Sequence, residues 1–140
     1  MRRQAMTIVI EHPRRVLVAE DDRALLELIS AALREDGYEV IEASDGLELL
    51  ARLEQVVRAR RDTEPPFAIV SDIRMPGLTG IEVLALLRRA SWATPVILIS
   101  AFADDETCEE AHLLGANAVL AKPFEIDALR DAVREALPSW

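Results

Sequence analysis

The sequence predicts an α/β domain in which a five-stranded parallel sheet is doubly wound, with helices on both of its faces. Short apolar runs alternate five times with longer amphipathic segments along the 140 residues, and such alternation is typical of this fold class. The apolar runs lack the alternating polarity of a half-exposed strand, which indicates that both faces of the sheet are covered. A chain of this length can bury one sizeable core, so we expect a single domain.

Five short runs of apolar, mostly β-branched residues are the predicted strands. They cover residues 16–19, 38–43, 67–70, 96–99 and 118–120. An earlier apolar run at residues 8–10 is an alternative first strand, an added edge segment or a disordered stretch. We prefer residues 16–19 as the first strand because a cluster of acidic residues follows it at once.

Amphipathic segments with apolar residues at helical spacing follow each strand. They predict helices over residues 22–36, 46–60, 79–87, 104–114 and 123–137. Gly37 and Gly115 are expected to end the first and fourth helices, and Thr79 is expected to cap the third. Pro123 is expected in the first turn of the last helix, where the missing N–H of proline is tolerated.

Residues 14–140 form the predicted domain, and residues 1–13 form a leader that the fold does not need. The leader begins with Met1, Arg2 and Arg3 and is basic like a signal peptide, but its apolar part is short and no small-residue cleavage site follows. The chain ends three residues after Leu137, so we expect no attached output domain.

Charge and cysteine content narrow the range of partners and locations. The chain has 16 basic and 25 acidic residues, a net charge of −9. This balance argues against nucleic acid and against an anionic membrane surface, since both attract a basic face. No run approaches the ~18 apolar residues of a membrane span. Because Cys108 is the only cysteine and has no partner for a disulfide, we expect a reducing, cytoplasmic location.

Charged and hydroxyl side chains directly follow four of the five predicted strands. Parallel strands end at one edge of a sheet, where ligands of such folds bind, so we expect these side chains to lie close together. They are Glu20, Asp21 and Asp22 after the first strand, Asp72 after the third, Ser100 after the fourth and Lys122 after the fifth.

This set of side chains suits phosphoryl transfer. Crowded carboxylates need a cation at pH 7, and oxygen ligands that leave room for water suit Mg²⁺. A carboxylate can also attack a phosphoryl group and form an aspartyl phosphate. Mg²⁺ and one lysine would supply positive charge, and a hydroxyl would hydrogen-bond a phosphoryl oxygen. Taken one at a time, the same residues are equally well explained as surface side chains, turn residues or helix caps.

Four short motifs together resemble the receiver domain of bacterial two-component response regulators, the family of the stand-alone chemotaxis regulator. The motifs are VLVAEDD at residues 16–22, SDIRMPG at 71–77, ISA at 99–101 and AKPF at 121–124. Each motif alone is weakly specific, but all four occur in order and at strand ends. The resemblance covers roughly residues 14–137 and implies a flavodoxin-like strand order of 2-1-3-4-5.

The resemblance implies a role for each matching residue. Asp72 would be the phosphoacceptor, and Ser100 and Lys122 would bind the phosphoryl group as further catalytic residues. Asp22 is expected to have a supporting role only. The expected Mg²⁺ ligands are Glu20, Asp21, Asp72 and the backbone carbonyl of Arg74.

Three features depart from the family pattern. Val119 stands three residues before Lys122, where the family usually has an aromatic ring that rotates when the hydroxyl group moves. The stretch from Gly46 to Asp72 is longer than usual by about 8 residues, or two helical turns, which predicts a protruding second helix and loop over segment 52–66. The leader is also longer than the fold needs.

We expect a single-domain response regulator rather than an enzyme. A sensor histidine kinase or histidine phosphotransfer protein would phosphorylate Asp72, and the signal would leave through contact with a downstream protein target. The chain would be a monomer or a phosphorylation-linked dimer. The alternative is an interaction module that works without phosphorylation, which Val119 favours. A phosphohydrolase is disfavoured because such enzymes commonly have a second acid at the position of Arg74, which cannot accept a proton.

Overall fold

A computed structural model describes residues 13–60, 66–101 and 105–137, and within these ranges five strands alternate with five helices. The strands are β1 (Arg15–Ala19), β2 (Glu39–Ala43), β3 (Ala68–Asp72), β4 (Val96–Ser100) and β5 (Ala118–Ala121). The helices are α1 (Arg23–Glu35), α2 (Gly46–Ala59), α3 (Gly80–Arg89), α4 (Asp105–Leu113) and α5 (Ile126–Ala136). Every predicted strand and helix in these ranges is present, with ends that shift by a few residues.

The five strands form one parallel sheet in the order β2-β1-β3-β4-β5. β1 lies at the point where the strand order reverses, and its Leu17 is in register with Ile41 of β2 and Ile69 of β3. This order confirms the predicted doubly wound fold. It also places the carboxyl ends of all five strands at one edge of the sheet, which is called the carboxyl rim below.

Two apolar layers cover the sheet because neighbouring residues of a strand point to opposite faces. On one face Leu17 packs with buried residues of α2 and α3 such as Leu49 and Leu84. On the other face Val16 packs with residues of α1 and α5 such as Ile29. The central strands are buried on both sides, which explains their unbroken apolar sequences.

Side-chain caps fix where the first three helices begin. Asp22 accepts a hydrogen bond from Leu25 N at the start of α1, and Asp45 does the same for Glu48 N at the start of α2. Thr79 and Glu82 form a reciprocal capping box on α3, which confirms the cap predicted from the sequence. The three helix starts therefore hold the loops that follow β1, β2 and β3 in defined positions.

The start of the last helix differs from the prediction. α5 begins at Ile126, with Glu125 at the N-cap position, so Pro123 is not in its first turn. Lys122 N donates to Ser100 O at 2.8 Å, which means that the chain still pairs with β4 immediately before Pro123. Phe124 then packs in the layer of α1 and α5, and the helix starts only after this contact is made.

Some predictions fall outside the described residues. They concern the leader up to residue 12, including the edge segment at residues 8–10, and the part of the long loop at residues 61–65. Residues 52–59 of the long segment belong to α2, which at 14 residues is the longest described helix. None of the helices in the described ranges is both long enough and apolar enough to cross a membrane.

Candidate functional site

Polar side chains from four strands meet at the carboxyl rim, as the sequence predicts. Glu20 directly follows β1, Asp72 and Ser100 are the last residues of β3 and β4, and Lys122 directly follows β5. Glu20, Asp72 and Ser100 are each at most 4% exposed. Burial of two carboxyl groups beside each other is costly unless positive charge compensates them.

The ammonium group of Lys122 supplies that charge. Its Nζ lies 2.7 Å from Asp72 Oδ2, to which it donates a hydrogen bond, and 2.8 Å from Glu20 Oε1. Burial acts to lower the pKa of Lys122, but the contacts with Asp72 and Glu20 outweigh it and raise the pKa above its usual value. Lys122 is therefore a firmly protonated cation between two carboxylates.

The environment of Glu20 disfavours the ionised form of its carboxyl group. Its Oε2 accepts a hydrogen bond from Asp22 N at 3.1 Å, and its Oε1 forms an ion pair with the ammonium group of Lys122 at 2.8 Å. Burial raises the pKa of Glu20 to about 7, against the opposing effects of Lys122 and of the Asp22 N–H.

Three carboxylates lie together at this rim and are candidates to hold a cation. Glu20, Asp21 and Asp72 each offer an oxygen, and these oxygens lie within 4.8 Å of one another. Asp21 is exposed and opens the cluster to solvent, while Glu20 is fully buried with the Lys122 ammonium group 2.8 Å from its Oε1. An all-oxygen ligand set with access to water fits Mg²⁺.

Backbone contacts hold the carboxylate of Asp72 in place. Arg74 N donates to Asp72 Oδ1 at 3.0 Å, so the two carboxylate oxygens have separate partners, a backbone amide and Lys122. Arg74, whose carbonyl is the predicted metal ligand, thus touches the phosphoacceptor candidate through its own backbone. The geometry brings a carboxylate, a cation, a metal-binding cluster and a hydroxyl residue to one place, which suits phosphoryl transfer.

Comparison with known proteins agrees with this geometry. The family model described as the response regulator receiver domain matches residues 16–134. The chain belongs to this family. Receiver domains generally bind Mg²⁺ at an acidic pocket and interact with histidine kinases or phosphotransfer proteins, and the acidic cluster of this receiver domain lies where its sequence motifs place it.

Relatives cover the receiver domain over most of its length. It is 31% identical over 124 residues to sporulation initiation phosphotransferase F of Bacillus subtilis, covering 89% of this chain and 94% of that protein. It is 34% identical over 126 residues to the transcriptional regulatory protein PdtaR of Mycobacterium tuberculosis, covering 89% of this chain and 57% of that protein. The chain thus spans nearly all of the first relative and little more than half of the second.

Solved structures show the same fold. The chemotaxis response regulator CheY4 of Vibrio cholerae superimposes with a TM-score of 0.74 at 31% identity, covering 90% of this receiver domain and 100% of CheY4. A response regulator receiver domain protein from Clostridium thermocellum gives a TM-score of 0.77 at 26% identity, covering 89% and 94% of the two chains.

Val119, which stands where the family usually has an aromatic residue, packs against one of the two apolar layers. Val119 lies in β5 and is half-buried against the apolar layer formed with α2, α3 and α4. Its register partner in β4 is Leu98, and the next pairs bring Ser100 beside Ala121. A valine in this packed position has few rotamers, so it does not offer the ring rotation expected from the family pattern.

A groove of about 640 Å³ leads from the surface to the buried hydroxyl residue. It lies between the loop after β3 and helix α4, and its lining includes Arg74, Thr79, Ser100, Thr107 and Glu110.

Gly80 and Ser71 contact Asp72 although the sequence assigned no role to either: Gly80 lies outside the four motifs, and Ser71 is in the motif at 71–77 but was given no function. A Cβ atom added to Gly80 would lie 2.5 Å from Asp72 O and 3.1 Å from Ser71 Oγ, so the start of α3 is packed closely against the backbone carbonyl of Asp72. Ser71 Oγ donates to that same carbonyl at 3.0 Å. The spacing of glycine eight residues after Asp72 was the only available signal, and it is weak without coordinates.

Asp22, the last member of the acidic triplet, does not join the metal-binding cluster. Its side chain is exposed and caps α1, and its backbone N–H donates to Glu20 Oε2. The supporting role expected from the sequence is thus that of a helix cap which orients a neighbouring carboxylate.

Proposed function

We propose that this receiver domain accepts a phosphoryl group on Asp72 from a phosphohistidine of a sensor histidine kinase or histidine phosphotransfer protein. The observation that carries the proposal is the position of Lys122 Nζ, 2.7 Å from Asp72 Oδ2 and 2.8 Å from Glu20 Oε1. A cation already in contact with the nucleophile stabilises the charge of an incoming phosphoryl group without further rearrangement.

The transfer is a displacement at phosphorus. A carboxylate oxygen of Asp72 forms the new P–O bond, the P–N bond to the donor imidazole breaks, and the imidazole leaves with the electron pair and takes a proton from solvent. Lys122 and the hydroxyl of Ser100 bind phosphoryl oxygens. Later attack by water on phosphorus releases inorganic phosphate and restores the carboxylate.

Mg²⁺ is the proposed cofactor of this step. Its ligands would be the carboxylates of Glu20, Asp21 and Asp72 and the backbone carbonyl of Arg74. When bound, the ion neutralises charge on these carboxylates and on the phosphoryl group. The three clustered carboxylates would then repel one another less, which favours their ionised forms.

The output of the phosphorylated form is proposed to be contact with a downstream protein target. We propose no nucleic-acid partner and no anionic membrane surface as a partner, because the net charge of −9 repels both; a cytoplasmic location is proposed with them. It turns over no separate substrate; its only chemistry is its own phosphorylation and dephosphorylation. Phosphorylation is expected to leave it a monomer or to link two copies as a dimer.

The test is phosphorylation by acetyl phosphate with and without Mg²⁺, followed by intact mass. We expect a gain of one phosphoryl group that requires Mg²⁺ and maps to Asp72. The isosteric variant Asp72→Asn keeps the shape of the site and should gain none. Labelling of Asp72→Asn equal to that of the wild type, or no labelling of the wild type, contradicts the proposal.

A second candidate function is an interaction module that binds its target whether or not it is phosphorylated. The packing of Val119 in β5 favours it, because the side chain that would report the state of Ser100 is fixed by its neighbours. Amide NMR spectra with and without beryllofluoride and Mg²⁺ distinguish the two. Shifts confined to the carboxyl rim favour the fixed module, whereas shifts that extend through α4, β5 and α5 favour the phosphorylation-controlled regulator.

A further inference from the structure

Exposed apolar side chains gather in one place on the face of the molecule formed by α2 and α3. Of the six large apolar side chains that are exposed in the described residues, Leu50 (37%), Leu86 (42%) and Trp92 (37%) line a single groove between these helices. The groove holds about 520 Å³. Its floor includes Leu53 and Leu87, which belong to the core. We refer to it as the α2–α3 groove.

The α2–α3 groove lies away from the carboxyl rim, where Asp72 is located. It is lined by the carboxyl-terminal parts of α2 and α3 and by Trp92 just beyond α3. Helices that connect parallel strands run back along the sheet, so these helix ends lie away from the carboxyl rim. Exposed apolar side chains that are grouped on one surface make it a candidate interaction site.

Arginines lie beside the groove although the chain as a whole has 16 basic and 25 acidic residues. Of the five arginines in residues 52–60 and 86–92, Arg52 pairs with Glu48 and Arg88 is bound by backbone carbonyls, which leaves Arg58, Arg60 and Arg89 to border the groove. Arg58 and Glu54 line the groove and pair with each other, at side-chain exposures of 78% and 61%. Such an exposed pair contributes about 0.3–0.5 kcal/mol and is easily exchanged for another partner.

Two further arginines complete the basic border. Arg60 lines the adjoining depression, which shares Val57 and Trp92 with the groove, and Arg89 is exposed on α3 between Leu86 and the groove residue Ala90. Arg88 does not contribute to this border, because its guanidinium is taken up by backbone carbonyls. An apolar floor bordered by arginines complements a ligand with an apolar stripe between acidic side chains.

We infer that the α2–α3 groove binds an acidic amphipathic helix of a partner protein. An amphipathic helix places apolar side chains at i, i+3, i+4 and i+7 on one face, and laid along the groove this face would cover Leu50, Leu86 and Trp92. Its flanking carboxylates would meet Arg58 and Arg60. Binding is independent of the phosphorylation state of Asp72, so this partner differs from the phosphodonor.

The probe is a designed helical peptide of about 16 residues with leucines on one face and glutamates elsewhere, and the matched peptide carries lysines in place of the glutamates. Binding is measured by anisotropy of the labelled peptide at ~0.15 M salt, where the Debye length is about 8 Å, and is located by amide NMR of α2 and α3. The net charge of −9 repels the acidic peptide, so any preference for it has to come from the local arginines.

We expect the glutamate peptide to bind at the groove about tenfold more tightly than the lysine peptide. Leu86→Gln should weaken binding about tenfold, and Arg58→Glu should remove the preference for the acidic peptide. The matched control is Leu28→Gln on α1, because Leu28 is also exposed (55%) but packs on the other face of the sheet. This control should bind like the wild type.

Several results would overturn the inference. Equal affinity for both peptides would show that the arginines do not select an acidic partner. If neither peptide binds at the groove, the groove is not a site for an amphipathic helix. Equal weakening in Leu86→Gln and Leu28→Gln would show that the contact is non-specific. Self-association in sedimentation experiments that Leu86→Gln abolishes would assign the groove to a second copy of this chain.

Discussion

Lys122 Nζ and Asp72 Oδ2 lie 2.7 Å apart although 50 positions separate the two residues in the chain. The contact exists because β3 and β5 both end at the carboxyl rim, with β4 between them. It joins the proposed nucleophile to the cation that is proposed to stabilise its phosphorylated form. Breaking or titrating this contact is therefore the most direct way to examine the site.

The first prediction concerns the pKa of Lys122. Asp72 contributes to raising that pKa, so Asp72→Asn should lower it, while Glu27→Gln on the exposed face of α1 should leave it unchanged. Lys122 is the only lysine of the chain, and reductive ¹³C-methylation therefore gives a single side-chain signal to titrate by NMR. An unchanged titration in Asp72→Asn would show that the contact is absent in solution.

The second prediction concerns stability and pH, and it follows from Glu20. Its pKa is raised from 4.5 to about 7 in the folded protein, so between these pH values the folded state binds more protons than the unfolded state. Stability from this group is present below pH 4.5 and is lost as the pH rises through about 7, by about 1–3 kcal/mol. Urea unfolding of metal-free protein at several pH values measures the loss.

The matched variants for this measurement are Glu20→Gln and Glu27→Gln. Glu20→Gln cannot ionise and should flatten the fall in stability, whereas Glu27→Gln should retain it because Glu27 is 65% exposed. Mg²⁺ binds the ionised carboxylates, so saturating Mg²⁺ should oppose the loss at high pH. The same slope in Glu20→Gln and the wild type would place the titrating group elsewhere.

The third prediction separates two neighbouring aspartates. Asp21 belongs to the acidic cluster, whereas the Asp22 side chain caps α1. Asp21→Ala should weaken Mg²⁺ binding at least about tenfold with little effect on metal-free stability. Asp22→Ala should cost about 1 kcal/mol of stability and retain Mg²⁺ binding. Calorimetric Mg²⁺ titration and urea unfolding give both values, and equal effects of the two variants would contradict these assignments.

The sequence predicted which residues meet at the rim because the prediction needs only topology. In any parallel sheet, residues that follow the strands reach the same edge, so Glu20, Asp72, Ser100 and Lys122 were identified before any distance was known. The apolar runs also predicted β1 and β4, which are buried on both faces. A polar residue at the end of a strand gives no such signal, and the sequence therefore did not predict that β3 includes Asp72 or that β4 includes Ser100.

The sequence does not predict which backbone segments approach each other closely. The contact of Gly80 with Asp72 O depends on how the loop over residues 73–79 folds back, and hydropathy patterns do not encode loop paths. The start of α5 was predicted wrongly for a related reason. Proline at a first helical turn is a local preference, but the pairing of Lys122 with Ser100 extends the sheet to that point and overrides it.

The fourth prediction tests whether Gly80 positions the nucleophile. Gly80→Ala places a methyl group 2.5 Å from Asp72 O, so α3 or Asp72 has to move. We expect a loss of roughly 1–3 kcal/mol of stability and acetyl-phosphate labelling slowed about tenfold. Gly37→Ala is the matched control, since φ is +94° there and no atom lies within 4 Å of the added Cβ.

The Gly37→Ala variant should lose about 1 kcal/mol through backbone strain alone and keep the normal labelling rate. The labelling rates of the two variants are compared at a temperature where both are fully folded. A difference in rate then reflects the position of Asp72 and not a loss of stability. If labelling of Gly80→Ala matches that of Gly37→Ala, the contact between α3 and Asp72 has no influence on the reaction.

The fifth prediction concerns Arg88, which joins the end of α3 to two other parts of the chain. Its guanidinium donates to four backbone carbonyls, and burial lowers its pKa. The acceptors are Trp92 O (2.6 Å), Thr94 O (3.0 Å), Leu114 O (3.0 Å) and Gly115 O (2.9 Å).

Because the charged guanidinium of Arg88 donates to all four carbonyls, Arg88→Met should lower the free energy of unfolding by about 2–4 kcal/mol. The neighbouring Arg89→Met, at an exposed position, should change it by less than about 0.5 kcal/mol, and equal losses in urea unfolding would show that the four contacts contribute nothing.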